Sequence, residues 1–282
     1  MKIKSLFVLY IFISIAADAG AQFLRGRMAV DVPMQYSLGL NYQQGKHFSV
    51  EATYGIVTAP WNNQLYDVIN VPPEHQARKE FLQATTDDGN VQGLSLNFHF
   101  GNWYGGVFGQ RIRLNASGTY DYILHSDLLQ QELTADEKAL LQDYLNSPLV
   151  FFVNFEDKIT LHTDLYQIGG KIGRRFFFRN PRWEFRMELA LSRNVSSKST
   201  SDYDAGLLSQ IVAFGANLPG GDKIADRLDF QQRLDEVDQF FRDYGYIPTL
   251  NFGLTYLLFV PKKVKEEQEK LNKAQTTQPQ FP

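Results

Sequence analysis

The chain has 282 residues, 28 basic and 31 acidic side chains for a net charge of −3, and no cysteine. The missing thiols exclude disulfides, thiolate metal sites and a lipid-modified cysteine anchor, and the weakly acidic balance argues against nucleic-acid binding. No long apolar run follows the first 21 residues and mean hydropathy is −0.29; helical membrane spans are excluded, a barrel is not, because only alternate barrel residues meet lipid.

In chain order, Met1-Lys-Ile-Lys4, an apolar run from Leu6 to Ala17 and Ala19-Gly20-Ala21 predict a secretory signal peptide over 1–21, cleaved after Ala21. The alternative is an N-terminal anchor, for which the run is short, since a helix needs about 20 apolar residues to cross a bilayer. Removing Lys2, Lys4 and Asp18 takes the 28 basic and 31 acidic side chains to 26 and 30, a net charge of −4. A disulfide-free exported chain suits a Gram-negative envelope.

Period-2 alternation begins at Met28–Val32, and Pro33 follows. Tyr36, Leu38, Leu40 and Tyr42 share one face; Phe48, Val50, Ala52, Tyr54 and Ile56 continue it after a turn at Gln44-Gly45-Lys46. Residues 58–90, punctuated by Pro60, Pro72 and Pro73, read as a long loop with a helical turn over Glu74–Leu82. Leu94–Phe100 and Tyr104–Leu114 form a second hairpin around Gly101-Asn102, with Arg111 and Arg113 opposite Ile112 and Leu114.

Residues 116–158 are a second loop, with a capping box at Thr134-Ala-Asp-Glu137 ahead of Leu140, Leu141, Tyr144 and Leu145. A third hairpin runs from Ile159 to Ile172 and from Trp183 to Val195. Trp183, Phe185, Met187, Leu189 and Leu191 line one face; Glu184, Arg186, Glu188 and Ala190 line the other. Residues 196–244 are a third loop, with a helix predicted over Asp204–Phe214. A second helix, capped by Asp222, carries Ile224, Leu228, Leu234, Val237 and Phe241 as an apolar stripe. A last strand, Thr249–Phe259, precedes a charged, solvated tail over 261–282.

In that last strand Asn251, Gly253, Tyr256 and Leu258 resemble the assembly signal of outer-membrane β-barrel proteins: a polar residue, a Gly two later, an aromatic three beyond and an apolar residue two further on. The resemblance implies a transmembrane antiparallel up-and-down barrel over 22–260. It also implies outer-membrane lipid and the barrel-assembly machinery as partners. Alternating short and long connections fit this architecture. Seven clear strands plus one from Gly26 to Val32 give eight, with ten as the alternative, so the chain resembles small barrels of the OmpA/OmpX kind. An eight-stranded lumen is just wide enough for side chains to fill.

Charges on the polar faces then belong inside: Glu51, Arg111, Arg113, Lys171, Glu184, Arg186 and Glu188 form the expected lumen network. Facing lipid, each Arg or Lys near the midplane would cost about 2–4 kcal/mol. The competing reading makes them the solvent face of a soluble sheet.

Three functions are compatible. The first is a non-enzymatic, plugged barrel whose long outer loops bind a partner or surface ligand, with the apolar stripe from Ile224 to Phe241 as contact surface or as a cap over the barrel mouth. The second is a barrel enzyme acting on lipid or peptide. Barrel enzymes set a His beside Ser or Asp at the outer rim, which offers His125, Ser126, His162 and Asp164 as candidates. The third is a narrow channel or secretion accessory. The five His residues share no helix face, and Gly169-Gly170-Lys171-Ile172-Gly173 has no helix after it, so neither a metal, a phosphate loop nor a cofactor is expected.

Overall fold

The computed structural model describes residues 22–58, 61–119, 158–180, 182–202 and 230–259, with 134–136, 138, 139 and 142. The expected signal peptide, the tail over 261–282, the helix over Asp204–Phe214, Asp222, Ile224, Leu228, His125 and Ser126 lie outside the described residues.

Eight antiparallel strands close into a barrel in sequence order: β1 (Gln22–Val32), β2 (Gln35–Gln44), β3 (Phe48–Val57), β4 (Thr86–Phe100), β5 (Trp103–Thr119), β6 (Lys158–Phe177), β7 (Trp183–Asp202) and β8 (Tyr246–Phe259). Closure runs through β1 and β8, where Met28 faces Leu254 and Val30 faces Phe252. Pairing the first strand with the last leaves no exposed edge. Between strands lie α1 (Trp61–Asp67), a short 3-10 turn (Pro73–His75), α2 (Gln76–Thr85) and α3 (Phe230–Tyr244). The turns at Gly45 (φ 64°) and Gly101 (φ 65°) use the left-handed backbone open to glycine. They share one end of the barrel, the turn end, with the 178–182 connection. The long excursions leave from the other, the loop end.

Strand boundaries differ from the sequence expectation in one direction. β1 starts at Gln22, β4 begins inside the expected first loop, and β5 and β7 run on to Thr119 and Asp202. The reason is visible in the extensions: Asn115, Ser117, Ser197 and Ser199 are polar on faces that no longer meet a greasy environment, so the hydrophobic alternation fades while the ladder continues.

Outside, the wall is apolar. Leu38, Leu40, Leu94, Leu96, Phe98, Val107, Ile168, Ile172, Leu189, Leu191, Phe252 and Leu258 are all exposed, several above 50%. An apolar surface of that extent is far beyond what water tolerates on a monomer. Inside, the barrel has two storeys. Toward the loop end Met34, Val57, Val91, Ile112, Leu114, Leu165 and Ile247 form one apolar cluster with Leu65, Tyr66 and Ile69 of the α1 region, Leu82 of α2, and Phe240 and Phe241 of α3. Toward the turn end the interior is polar and charged.

The inward glycines allow the strands to approach. A Cβ at Gly106 would stand 2.4 Å from the Leu96 carbonyl oxygen, whereas one at outward Gly105 would meet nothing nearer than 3.7 Å. Gly106→Val is therefore expected to cost about 1–3 kcal/mol by overpacking and to deplete the heat-modifiable, fast-migrating band on a detergent gel. Gly105→Val should leave that band at wild-type intensity. Equal behaviour of the two variants would contradict the assigned facing of β5.

Candidate functional site

The polar storey is assembled from six strands. Arg27 of β1 donates to Glu51 of β3, and to Glu188 of β7 and Asn251 of β8. Asn41 Nδ2 and Arg186 Nη1 each donate to Glu51 Oε2 at 3.1 Å, and Arg186 also binds Glu184. Lys171 Nζ lies 3.0 Å from Glu188 Oε2 and 3.7 Å from Glu51 Oε1. Arg25 Nη1 donates to Gln43 Oε1 at 2.7 Å with Glu184 3.9 Å away, and Arg175 donates to the Gly101 carbonyl at 2.7 Å. Asp31 accepts from Gln35 at 2.7 Å and from Asn251. The cluster thus holds five cations (Arg25, Arg27, Lys171, Arg175, Arg186) and four carboxylates (Asp31, Glu51, Glu184, Glu188), with nearly complete burial of Arg27, Glu51, Glu184, Arg186 and Glu188. Such charges persist in a closed interior only when each finds partners.

Beneath this network Ser49 Oγ contacts His99 Nε2 at 2.8 Å and accepts from Asn41 and Asn97 at 3.3 and 3.4 Å, and the Tyr104 ring lies against His99 with centroids 5.4 Å apart. Space is scarce. A cavity of about 70 Å³ remains between Arg27, Asp31, Gln35, Glu51, Lys171 and Glu188, room for a few waters and little else.

Of the expected lumen charges, Glu51, Lys171, Glu184, Arg186 and Glu188 stand in this cluster. Arg111 and Arg113 do not, which corrects the sequence reading. On β5 the even positions point inward, so Ile112 and Leu114 join the apolar storey while Arg111 and Arg113 point outward. There both guanidiniums hold Asp164: Arg111 Nη2 at 2.6 Å and Arg113 Nε at 3.0 Å.

The enzyme candidates fare differently again. His162 and Asp164 sit two apart on the outward face of β6; His162 Nδ1 lies 2.8 Å from Asn115 Oδ1, while Asp164 is gripped by the two arginines. The base–orienter pair expected from the sequence is not formed between them. Among the described residues no group of three or more His, Asp or Glu side chains is arranged for a metal.

Of the two readings of the apolar stripe, contact surface or cap, the described residues of α3 take the second. Leu234, Phe240 and Phe241 are buried and Val237 packs against the same cluster, so these residues close the barrel mouth. Asp238 Oδ1 accepts from Ser197 and Ser199 of β7 at 2.9 and 2.7 Å, Asn194 donates to the Phe241 carbonyl at 2.8 Å, and Arg78 of α2 reaches Glu236 at 2.6 Å. The Tyr66 phenol, bonded to Thr86 at 2.8 Å, is pushed up to about 12 by burial. Sequence reasoning missed Arg27, the hub of the network. Its signal was there, because Arg25, Arg27 and Asp31 occupy three of the five inward positions of β1, Phe23 and Ala29 holding the others. In the last strand Asn251 and Gly253 face inward, while Tyr256 and Leu258 face out, with Tyr256 4.7 Å from the Trp183 ring.

These features define an eight-stranded up-and-down barrel with a greasy exterior and an ionic interior. No family model matches the chain, and no curated protein matches it. Its structural neighbours are outer-membrane barrels. The N-terminal β-barrel domain of Pseudomonas aeruginosa OprF is similar at 9% identity, over 85% of this chain and 98% of that one, with a TM-score of 0.34. A major outer membrane protein from Thermus thermophilus is similar at 10% identity, over 84% and 98%, with a TM-score of 0.40. Acinetobacter baumannii CarO2 is similar at 10% identity, over 84% and 99%, with a TM-score of 0.32. These likenesses say nothing of what the chain does.

Removing one partner from the buried cluster strands the others. Glu51→Gln is expected to cost about 3–5 kcal/mol, read as a lowered urea midpoint of the vesicle-folded barrel. Arg113→Gln, on the exposed wall, should cost no more than about 1 kcal/mol. Similar losses in both would mean that Glu51 is not in a desolvated network.

Proposed function

We propose that the chain is an outer-membrane barrel that is closed to solute flow and acts through its outer face, without catalysis of its own. The turn end faces the periplasm and the loop end faces outward, the orientation in which short turns lie inside and long loops outside. The apolar outer wall supports the membrane placement. Partner or ligand binding falls to the long outer loops expected over about 58–90, 116–158 and 196–244, apart from the apolar face of α3, which packs into the mouth. The observation that carries the closed lumen is the bridging of Arg27 to Glu51, Glu188 and Asn251 across the bore. Above it lies the apolar cluster under α1, α2 and α3. An ion entering would have to break charge-assisted bonds in series and cross an apolar storey.

Planar-bilayer recording tests this. The wild-type barrel should give no steady conductance steps. Arg27→Ala combined with Glu51→Ala removes the hub, and if the variant still migrates as a folded barrel it should show small, frequent openings. Steady single-channel steps from the unaltered protein would count against closure and favour a channel.

A further inference from the structure

Outside the lumen and toward the loop end, a group of charges lies on the outward face of β5, β6 and β7. Register sets it out in three steps: Arg193 opposite Ile168, then Arg111 opposite Tyr166, then Arg113 opposite Asp164 and Asp164 opposite Lys198. Toward the turn end the same face is Val107, Ile172, Leu191 and Leu189, all exposed and apolar. The cations therefore begin at the upper margin of the greasy wall, where Val195 is still exposed among them. Two of them lie over aromatic rings, Arg193 over Tyr246 at 5.1 Å and Arg111 over Tyr166 at 6.0 Å. That is the posture of a side chain whose stem and platform sit at the edge of an apolar layer while its head stays polar. One carboxylate, Asp164, stands against four cations. The next acids, Asp88, Asp87 and Asp202, sit farther out, the first two accepting from Asn115 and Ser117. The outward residues at the loop ends of β1, β2 and β3, Val30, Tyr36 and Ile56, carry no charge, so the excess belongs to one sector.

Resting on the membrane placement proposed above, we infer that Arg111, Arg113, Arg193 and Lys198 seat the phosphate-bearing, anionic headgroup of a lipid in the outer leaflet. Charge complementarity and position at the rim select this occupant. Guanidinium forks match phosphate oxygens in pairs, and the lipid's chains would lie along Ile168, Leu191 and Val107 below.

The test uses the folded, full chain in an uncharged detergent with a fluorescent phosphatidic acid as probe and phosphatidylcholine as comparison. Phosphatidic acid should bind in preference, and Arg111→Gln with Arg113→Gln should weaken it on the order of tenfold. Arg193→Gln with Lys198→Gln, which leaves the Asp164 ion pairs intact, should weaken it similarly and guards against a folding defect in the first pair. Arg174→Gln, at the opposite rim over Trp103 and Phe176, should change nothing. Equal binding of the two lipids, full retention by either double variant, or competition by inorganic phosphate alone as strong as by the lipid would overturn the inference. Heat-modifiable migration is followed throughout. No preference for phosphatidic acid in the intact wild-type barrel sinks only the lipid seat, while a wild-type chain that is soluble without detergent sinks the membrane placement as well.

Discussion

The constraint on which this structure depends is the mutual neutralisation of charges that closure removes from water. An eight-stranded barrel has an interior just wide enough for its inward side chains, and an unpaired ion buried there would cost several kcal/mol. Arg27 resolves this by meeting Glu51, Glu188 and Asn251 at once. Because those partners sit on β3, β7 and β8, the same contacts that satisfy the charge bind the first strand to strands from both halves of the chain. Register is thereby fixed from within. A slip of one residue would send Arg27 outward and Met28 inward, exchanging a satisfied ion for a stranded one.

The upper storey obeys a different rule. Beyond the greasy belt the wall continues through β5, β6 and β7, and its interior turns apolar to receive the helices. Phe240 and Phe241 fill the mouth from above, while Asp238, Asn194 and Arg78 fasten α3 at its sides. An apolar cluster thus lies over an ionic one, which is the arrangement behind the proposal of a closed lumen.

Strand number, closure and the short–long sorting of connections were legible because the hydrophobic pattern reports which face meets lipid, and along most of β2, β3, β7 and β8 one phase holds. It misled where the interior itself is apolar. Ile112 and Leu114 carry the same hydrophobic signature as a lipid-facing pair, yet they point inward under the helices. Gly105, Gly106 and Gly109 interrupt the alternation that would have shown the phase of β5, so Arg111 and Arg113 were assigned to the wrong side. The α3 stripe posed the same ambiguity: Leu234, Val237 and Phe241 signal burial without saying against what. Arg27 was passed over because the alternation before Met28 is short, and only the pairing with β8 shows how far β1 extends. Polar strand ends such as Asn115–Ser117 and Ser197–Ser199 resemble loops in any sequence pattern, since ladder hydrogen bonds leave no trace in side-chain hydropathy.

The central claim is that the outward face of the wall is bathed in acyl chains while the inward face is sealed. The chain's lack of cysteine permits a direct measurement. Single cysteines at Leu40, Leu94, Ile172 and Leu189, and at Ser95 and Thr255, are labelled with a fluorophore in vesicle-folded protein. Quenching by bromine-bearing lipid chains is then compared with quenching by aqueous iodide. The account predicts strong lipid quenching at the first four sites and little quenching by either agent at the last two. Iodide quenching at Leu40, Leu94, Ile172 and Leu189, with none from the lipid, would contradict it.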